Sequence, residues 1–455
     1  MKLHVTLLYL VLFVVLPTII CAQERRGRPP LTLEKQWDLA IQTVNLLSPE
    51  PDKSRLDISY RIPKSFFIFT KDLAPSANHP FSAKGEISIE LLDSNKTSVA
   101  QKLKNLELFS ADASASATHG MPETGIFSFD LTPGTYTVVI EVNDKNSNRT
   151  FREDSRIVKL RDFSQSNLTT SDIVFSDPLV EMPQHELIPY NIGGDILYGK
   201  NTFCYFQVNT LTTRDSLLIS YHVTRSTIEE KNPIIVLSDT LQRNNILPAK
   251  ILTISQHDSR YHYIISDSMA LNGYACMFTI ASATFELGTY QLDVTVEAGT
   301  QKTTLKKNFQ LRWLDMPSSL RQLKVAVDAM EYILSEDEYK ELRSANATRQ
   351  RKLFDDFWRK RDQTPQSSYN EVMAEYFKRV DYAFTHYGTL QEQHGVKTER
   401  GKAYILYGPP SSVERKLLPS SDPQEIWIYT NIHKKLTFVD EHRNGNYKLV
   451  AAESL

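Results

Sequence analysis

Cysteine is scarce: three residues in a chain of 455. That excludes a disulfide-stapled scaffold, whose small core is replaced by dense cross-links. Neither charge dominates, with 52 Lys and Arg against 54 Asp and Glu for a net charge of −2. A general nucleic-acid binder carries a basic excess, so no nucleic-acid partner is expected. Apart from the first residues there is no run approaching the ~20 apolar residues that span a bilayer, so no transmembrane segment is expected in the mature chain. Glycine and proline number 16 and 21, too few for a collagen-like or low-complexity chain. A hydrophobic share of 41% with 23% charged residues is ordinary globular composition and argues against wholesale disorder. A chain of this length is expected to hold two to four domains of roughly 100–200 residues each.

The first residues read as an export signal. Lys2 supplies the positive start, the run Val5 to Val15 is apolar apart from Thr6 and Tyr9, Pro17 breaks the helix, and Ala22 offers a small-residue exit. This layout predicts a signal peptide over 1–22, cleaved before Gln23, then a flexible segment over 23–35. A membrane anchor would need a longer apolar run. A lipoprotein attached through Cys21 would prefer a residue smaller than Ile20 before it. The expected address is the periplasm or the exterior. Cys204 and Cys276 remain after cleavage, each inside a strand-like apolar run, Thr202 to Val208 and Tyr274 to Ile280. In an oxidising compartment they would either pair across a β-sandwich or stay as two buried thiols, and both readings stay open.

From about Ala40 to Leu311 the apolar period is two. Ile58, Tyr60 and Ile62 alternate with Asp57, Ser59 and Arg61, and Phe127, Phe129 and Leu131 alternate with Ser128 and Asp130. Strands with one buried and one wet face are expected, separated by turns such as Pro133-Gly134. The segment Gly134-Thr135-Tyr136-Thr137-Val138 returns as Gly288-Thr289-Tyr290-Gln291-Leu292, and Ile58-Ser59-Tyr60 returns as Ile219-Ser220-Tyr221. The two echoes suggest one unit used twice. They predict two immunoglobulin-like β-sandwich domains, over 36–165 and 175–315, with Ser164 to Ser171 as linker.

After Trp313 and Pro317 the period moves toward 3.6, which predicts an α+β domain over 318–455. Leu323, Val327, Met330 and Leu334 share a helix face, and Ser335-x-x-Glu338 is a capping box that opens a second helix. Leu353, Phe357 and Trp358 mark a third helix. Ser368-x-x-Glu371 is read as the cap of a fourth, which ends at Gly388. Strands are expected at Ala403 to Tyr407, Glu425 to Tyr429, Leu436 to Val439 and Tyr447 to Ala451, the last hairpin turning at Asn444-Gly445.

A series of spaced motifs runs through this region: Phe357-Trp358-x-x-Arg361-Asp362-x-Thr364-Pro365, Asn370-Glu371, Gly395-Val396-Lys397-Thr398-Glu399-Arg400-Gly401, Ile405-Leu406-Tyr407-Gly408-Pro409-Pro410 and Glu425-x-Trp427-x-Tyr429. In this order they resemble the GWxTD domain of exported bacterial proteins. Ser48-Pro49-Glu50-Pro51-Asp52-Lys53-Ser54-Arg55-Leu56 is similar to the β-rich region that usually precedes it. The resemblance implies export and this domain order, and it names no activity. Val396 stands where the signature has Trp and Glu399 where it has Asp, while Gly395, Thr398, Arg400 and Gly401 keep to it. A precise catalytic carboxylate would rarely tolerate the longer arm of Glu, so both departures favour a packing role.

Signals of chemistry are weak, and no catalytic, cofactor or metal residue is assigned. There is no G-x-S-x-G elbow and no H-E-x-x-H pair. Gly194 to Asn201 nearly fits a phosphate loop. Asn201 lacks the hydroxyl that would hold magnesium, and a strand-like run follows where a helix is needed. His257 and His262 are five apart, a poor ligand spacing, and are read as surface polarity. The sequons at Asn95, Asn148, Asn167 and Asn346 are read as chance in a bacterial protein. The basic run through Arg349, Arg351, Lys352, Arg359 and Arg361 is interleaved with Asp355, Asp356 and Asp362 and reads as a solvated helix face.

The best polar cluster is Glu399, Arg400, Glu425 and Asp440, with Tyr407, Trp427 and Tyr429 around it. It would serve as an Arg–carboxylate network that locks a sheet to its helices, or as a ligand site with an aromatic face. The expected function is a non-catalytic interaction or scaffolding role with an envelope protein as partner. The alternatives are a hydrolase acting on glycan or peptide and a carbohydrate-binding module.

Overall fold

Alternation in Ser54–Ile62 buries Leu56, Ile58, Tyr60 and Ile62 on one face of a strand. Its polar face is buried as well, because a hairpin almost two hundred residues downstream lies over it. The computed structural model describes residues 39–455 apart from 77–78, 111–120, 178–185, 191, 227–232, 249, 258–259, 268–272, 390–391, 393 and 420. The expected signal peptide over 1–22, Cys21 and the segment over 23–35 lie outside the described residues.

The described chain is mostly β-sheet, arranged as several sandwich-like sheets, with a small helical region near the C-terminus. In the first third, Ala40–Leu47, Ser54–Ile62 and Glu123–Leu131 form a three-stranded antiparallel sheet. A second sheet orders Thr70–Ser76, His79–Leu92, Gly134–Asp144 and Thr150–Leu160, with Ser98–Ser110 paired to the other edge of His79–Leu92. Lys104 joins the two sheets by donating to Tyr60 Oη at 3.1 Å and to Glu123 at 3.0 Å.

In the second third, Thr202–Thr210 and Gly273–Ile280 pair at the centre of one sheet. Leu217–Ser226, Thr289–Ala298 and Gln301–Arg312 form the body of the other. Phe206, Phe278, Ile219, Val294 and Phe309 fill one core cluster with side chains from both. The expected linker is partly structural: Leu168–Thr170 pairs with Thr202–Thr210. The Gly134 and Gly288 echo holds in space. Tyr136 donates to the carbonyl of Thr132 and Tyr290 to that of Glu286, each at 2.8 Å and each four residues back. The other echo does not. Ile219 pairs directly opposite Val296, whereas the strand of Ile58 lies in a different sheet from Gly134–Asp144.

The hairpin Lys250–His257 and Arg260–Asp267 covers the polar face of Ser54–Ile62. There Arg55 grips Asp57 through two bonds of 2.8 Å, and Tyr263 donates its hydroxyl to Asp57 Oδ2 at 2.9 Å. Arg55 also donates to the carbonyl of Leu252. The prediction of a wet face for this strand fails because the hairpin, and not water, satisfies the charges of Arg55 and Asp57. Around this network Val44, Leu46 and Ile126 of the first third pack with Tyr205, Leu252 and Tyr263 of the second third.

Cys204 and Cys276 are free, buried thiols. They stand on adjacent strands of one sheet rather than across two, with Cys204 opposite Phe278 and Cys276 opposite Phe206. Such a diagonal places Cβ atoms beyond the ~3.8 Å a disulfide needs. Burial pushes both thiols up, so neither is a ready nucleophile. Alkylation of the native protein should leave both unmodified, and denaturant should expose both. Labelling at either position before unfolding, mapped by mass spectrometry, would contradict the arrangement.

Among the described residues the last third begins with five α-helices: α1 Leu323–Asp328, α2 Glu336–Ser344, α3 Ala347–Arg359, α4 Glu371–His386 and α5 Glu399–Tyr407. The Ser335 capping box forms as expected. Helix α4 is capped by Asn370 rather than Ser368, since Asn370 Oδ1 accepts from Met373 N at 2.8 Å while its amide nitrogen donates to Trp358 O. The strand expected at Ala403 to Tyr407 is the body of helix α5. An antiparallel sheet follows, in the order Ser412–Lys416, Gln424–Tyr429, Lys434–Val439 and Lys448–Ser454. Met330, Phe354, Trp358, Phe377 and Val380 build the helical core. Among the described residues no helix is long and apolar enough to cross a membrane.

Candidate functional site

The signature segment 395–401 folds as a short 3₁₀ turn feeding helix α5. Thr398 caps that helix: its Oγ1 accepts from Gly401 N at 3.0 Å and donates to Gly395 O at 2.8 Å. Both glycines are set by close approach. A Cβ on Gly395 would lie 2.0 Å from the carbonyl oxygen of Ala383 in α4, and one on Gly401 would lie 1.8 Å from the carbonyl of Gly395. Val396 packs its side chain against the helical core and accepts from the Tyr332 hydroxyl at 2.9 Å. The segment therefore seats α5 on α4. Replacing Thr398 with Ala should cost about 1–2 kcal/mol, the range for a lost cap, measured by chemical denaturation. No change in the midpoint would deny it the capping role.

Arg400, in the first turn of α5, faces the sheet. Its Nη1 donates to Glu425 Oε2 at 3.3 Å and its Nη2 to the carbonyl of Gly445 at 3.0 Å. Its guanidinium lies 4.2 Å from the ring centre of Tyr447 and 5.6 Å from that of Tyr387. Glu425, only 6% exposed, also accepts from Arg415 Nε at 3.1 Å and Trp427 Nε1 at 3.2 Å. Asp440 enters indirectly: it accepts from Asn444 N and Gly445 N, at 3.1 and 2.7 Å, and so shapes the turn whose carbonyl Arg400 holds. Glu399 stays apart from this network. It stands in the first turn of α5, where a carboxylate complements the free N–H groups.

Two of the three aromatic members are interior, and Tyr407 is half-buried. Trp427 is 2% exposed and Tyr429 fully buried, its hydroxyl donating to Gly408 O at 3.2 Å. Tyr407 meets Tyr429 edge-on at 5.7 Å and accepts from Lys434 Nζ at 3.4 Å. Burial pushes the phenols of Tyr387 and Tyr429 up, away from acid–base work near neutrality. Neither ring of the Trp427–Tyr429 pair offers a face to a sugar. The cluster that sequence reasoning singled out is thus assembled except for Glu399, and its donors and acceptors are turned on one another.

Sequence reasoning missed a cavity of about 320 Å³ beside it, between α4 and α5. Ile333, Val372, Tyr376 and Ile405 line it with the ion pair of Arg379 and Glu375. Val372, Glu375, Tyr376 and Arg379 share one face of α4 by their helical spacing, but nothing in the sequence said that this face meets Ile405 and Ile333 around a void.

The remaining candidates fall elsewhere. Gly194 to Asn201 forms turns and the short strand Ile196–Leu197, and a strand follows at Thr202–Thr210, so no helix terminus faces a phosphate there. His262 is buried, not at the surface as expected, with Nε2 3.8 Å from Glu186 Oε1. The side chain of His257 lies outside what is described. Among the described residues no group of three or more His, Cys, Asp or Glu is placed to hold a metal. Within the basic run, Arg349 pairs with Glu341 and Arg359 with Asp356, each at 2.6 Å.

Residues 300–454 match the GWxTD domain. The chain is a GWxTD domain-containing protein. The match reaches back into the strand Gln301–Arg312, ahead of the start at 318 read from the motifs, and includes all five helices and the terminal sheet. Its signature residues are those that seat α5. No curated protein matches the chain. Among solved structures, one described as BspA_C_WT is similar over 59% of this chain and 99% of its own, at 9% identity and a TM-score of 0.14. The native conformation of alpha-2-macroglobulin from E. coli is similar over 60% of this chain and 16% of its own, at 9% identity and a TM-score of 0.15. A family 123 glycoside hydrolase from Clostridium perfringens is similar over 44% and 36% respectively, at 14% identity and a TM-score of 0.14. Scores this low establish no common fold with the GWxTD protein.

Proposed function

We propose that this is an exported, non-catalytic protein of the bacterial envelope, working by protein–protein interaction or scaffolding through the surfaces of its modules. One observation carries this reading: Glu425, the acid at the heart of the most chemically capable cluster, is buried and shared among Arg400, Arg415 and Trp427. A carboxylate whose oxygens are taken by three protein donors is turned inward and not presented to a substrate. The export address rests on the leader-like residues 1–22. The β-rich part is read as two immunoglobulin-like sandwiches, a common scaffold for binding faces. The matching hydroxyl-to-carbonyl bonds of Tyr136 and Tyr290 support that reading, since such a tyrosine corner is a mark of these sandwiches.

The test is affinity capture from solubilised bacterial envelopes with the mature chain as bait. Specific, reproducible recovery of an envelope protein is the expected result. Failure to recover one, together with turnover of a glycan or peptide that is lost on replacing Arg400, would overturn the reading in favour of a hydrolase.

A further inference from the structure

The strand Gln301–Arg312 is paired fully along one edge only. Thr289–Ala298 accompanies it from Gln310 to Gln301 without a register shift. On its other edge, pairing among the described residues is confined to Leu311 and Arg312, opposite Ile196 and Leu197. The direction of each backbone group follows. Leu311 N donates to Gly288 O at 3.1 Å, so odd-numbered residues face the paired side and even-numbered ones face away. Gln310 obeys this: its N–H points outward and donates to Asp195 Oδ1 at 2.8 Å. Asn308, Lys306 and Thr304 therefore turn their N–H and C=O groups to the open edge.

That edge borders a groove of about 980 Å³, closed on the far side by Gly134, Leu160 and the segment from Leu168 to Ile173. Its volume is at the upper end of ligand pockets. Four cations line it, Lys159, Arg161, Lys306 and Lys307, against two carboxylates, Asp162 and Asp172. Arg161 is held by Asp172 at 2.5 Å and Lys306 stands 3.8 Å from Asp293. Lys307 has no carboxylate at ion-pair distance among the described residues. Its Nζ donates to Ile173 O at 3.0 Å and lies 4.8 Å from the Phe175 ring centre. Burial lowers its amine below the ordinary lysine value. Asp172 and Asp195 act on it only from beyond ion-pair distance, so this part-buried cation gains from an anion arriving closer. Asp195 shows the kind of group the edge accepts, since its carboxylate takes one outward N–H while gripping Arg312 at 2.6 Å.

We propose that this groove takes an extended, acidic segment of a partner polypeptide, which adds a strand to the open edge of Gln301–Arg312 and sets carboxylates against Lys306 and Lys307. The proposal rests on the reading of the protein as a binding module and names the partner's chemistry. Main-chain bonds to Thr304, Lys306 and Asn308 supply affinity, and the lysines select for charge.

The probe is a labelled, capped peptide of repeating Glu-Glu-Val-Val, which presents carboxylates on both strand faces because Lys306 and Lys307 point to opposite ones, titrated with the full mature chain by fluorescence anisotropy. Saturable binding is expected, stronger at about 0.05 M than at about 0.5 M salt. The same peptide with Lys in place of Glu should not bind. Lys306→Glu should weaken binding at least tenfold, about 1.4 kcal/mol. Asn308→Pro should do likewise, because it deletes an outward N–H that the paired edge does not use. Circular dichroism confirms that each variant is folded. The proposal falls if the Glu peptide does not bind, if the Lys peptide binds equally, if both variants bind as the parent does, or if heparin binds in its place and ignores Asn308→Pro. Envelope capture repeated with Lys306→Glu separates the two ideas. A partner retained by this variant removes the groove and leaves the binding-module reading standing.

Discussion

Gly401→Ala is expected to destabilise the GWxTD domain by about 3 kcal/mol or more, at or above the top of the usual range for overpacking. The added Cβ would sit 1.8 Å from the carbonyl oxygen of Gly395, a backbone atom with no rotamer to yield. Relief requires the 3₁₀ turn to lift off α4 or helix α5 to lose its first turn. Either route breaks the Thr398 cap and shifts Arg400 away from Glu425. Tryptophan fluorescence during denaturant unfolding reads the outcome, because Trp358 and Trp427 are buried in this domain. A midpoint within about 0.5 kcal/mol of the parent, the usual surface range, would show that the glycine is not a packing requirement.

Asp57→Ala should have an effect of similar size at the other end of the chain. The side chain it removes is the partner of Arg55 and the acceptor for Tyr263. A buried guanidinium would be left without its counter-ion, at a cost of about 3–5 kcal/mol. Replacing both ends, Arg55→Met with Asp57→Leu, removes the charge together with its partner and should recover most of the loss. Thermal unfolding with limited proteolysis distinguishes the pair of variants. A single variant as stable as the parent would mean that the joint depends on the apolar contacts of Val44, Leu46 and Leu252 alone.

Local patterns were legible where one residue type has one local use. Ser54–Ile62 formed a strand as read, though without its wet face, and the Ser335-x-x-Glu338 box formed as read. Ala403 to Tyr407 was misread because a short apolar run suits a buried helix as well as a strand. Thr398 followed by Glu399 was the available signal, a cap with an acid in the first turn. The cap of α4 fell to Asn370 over Ser368 because Asn370 also satisfies Trp358 O, a contact between helices that no spacing encodes. In the candidate site, Arg400, Glu425 and Trp427 were grouped correctly, since their residue types want one another when buried. Glu399 was not, since adjacent helical residues point in different directions. The groove beside Gln301–Arg312 was invisible in the sequence, because its walls come from segments more than a hundred residues apart that meet only in the folded chain.

The wedge of Arg55, Asp57 and Tyr263 has a mechanical corollary. Residues on both sides of the joint share one set of charges, so bending there would have to drag an ion pair into water. A pull on the strand Ser54–Ile62 is therefore felt at once by the hairpin of Lys250–His257 and Arg260–Asp267, and the two can part only by exposing the pair.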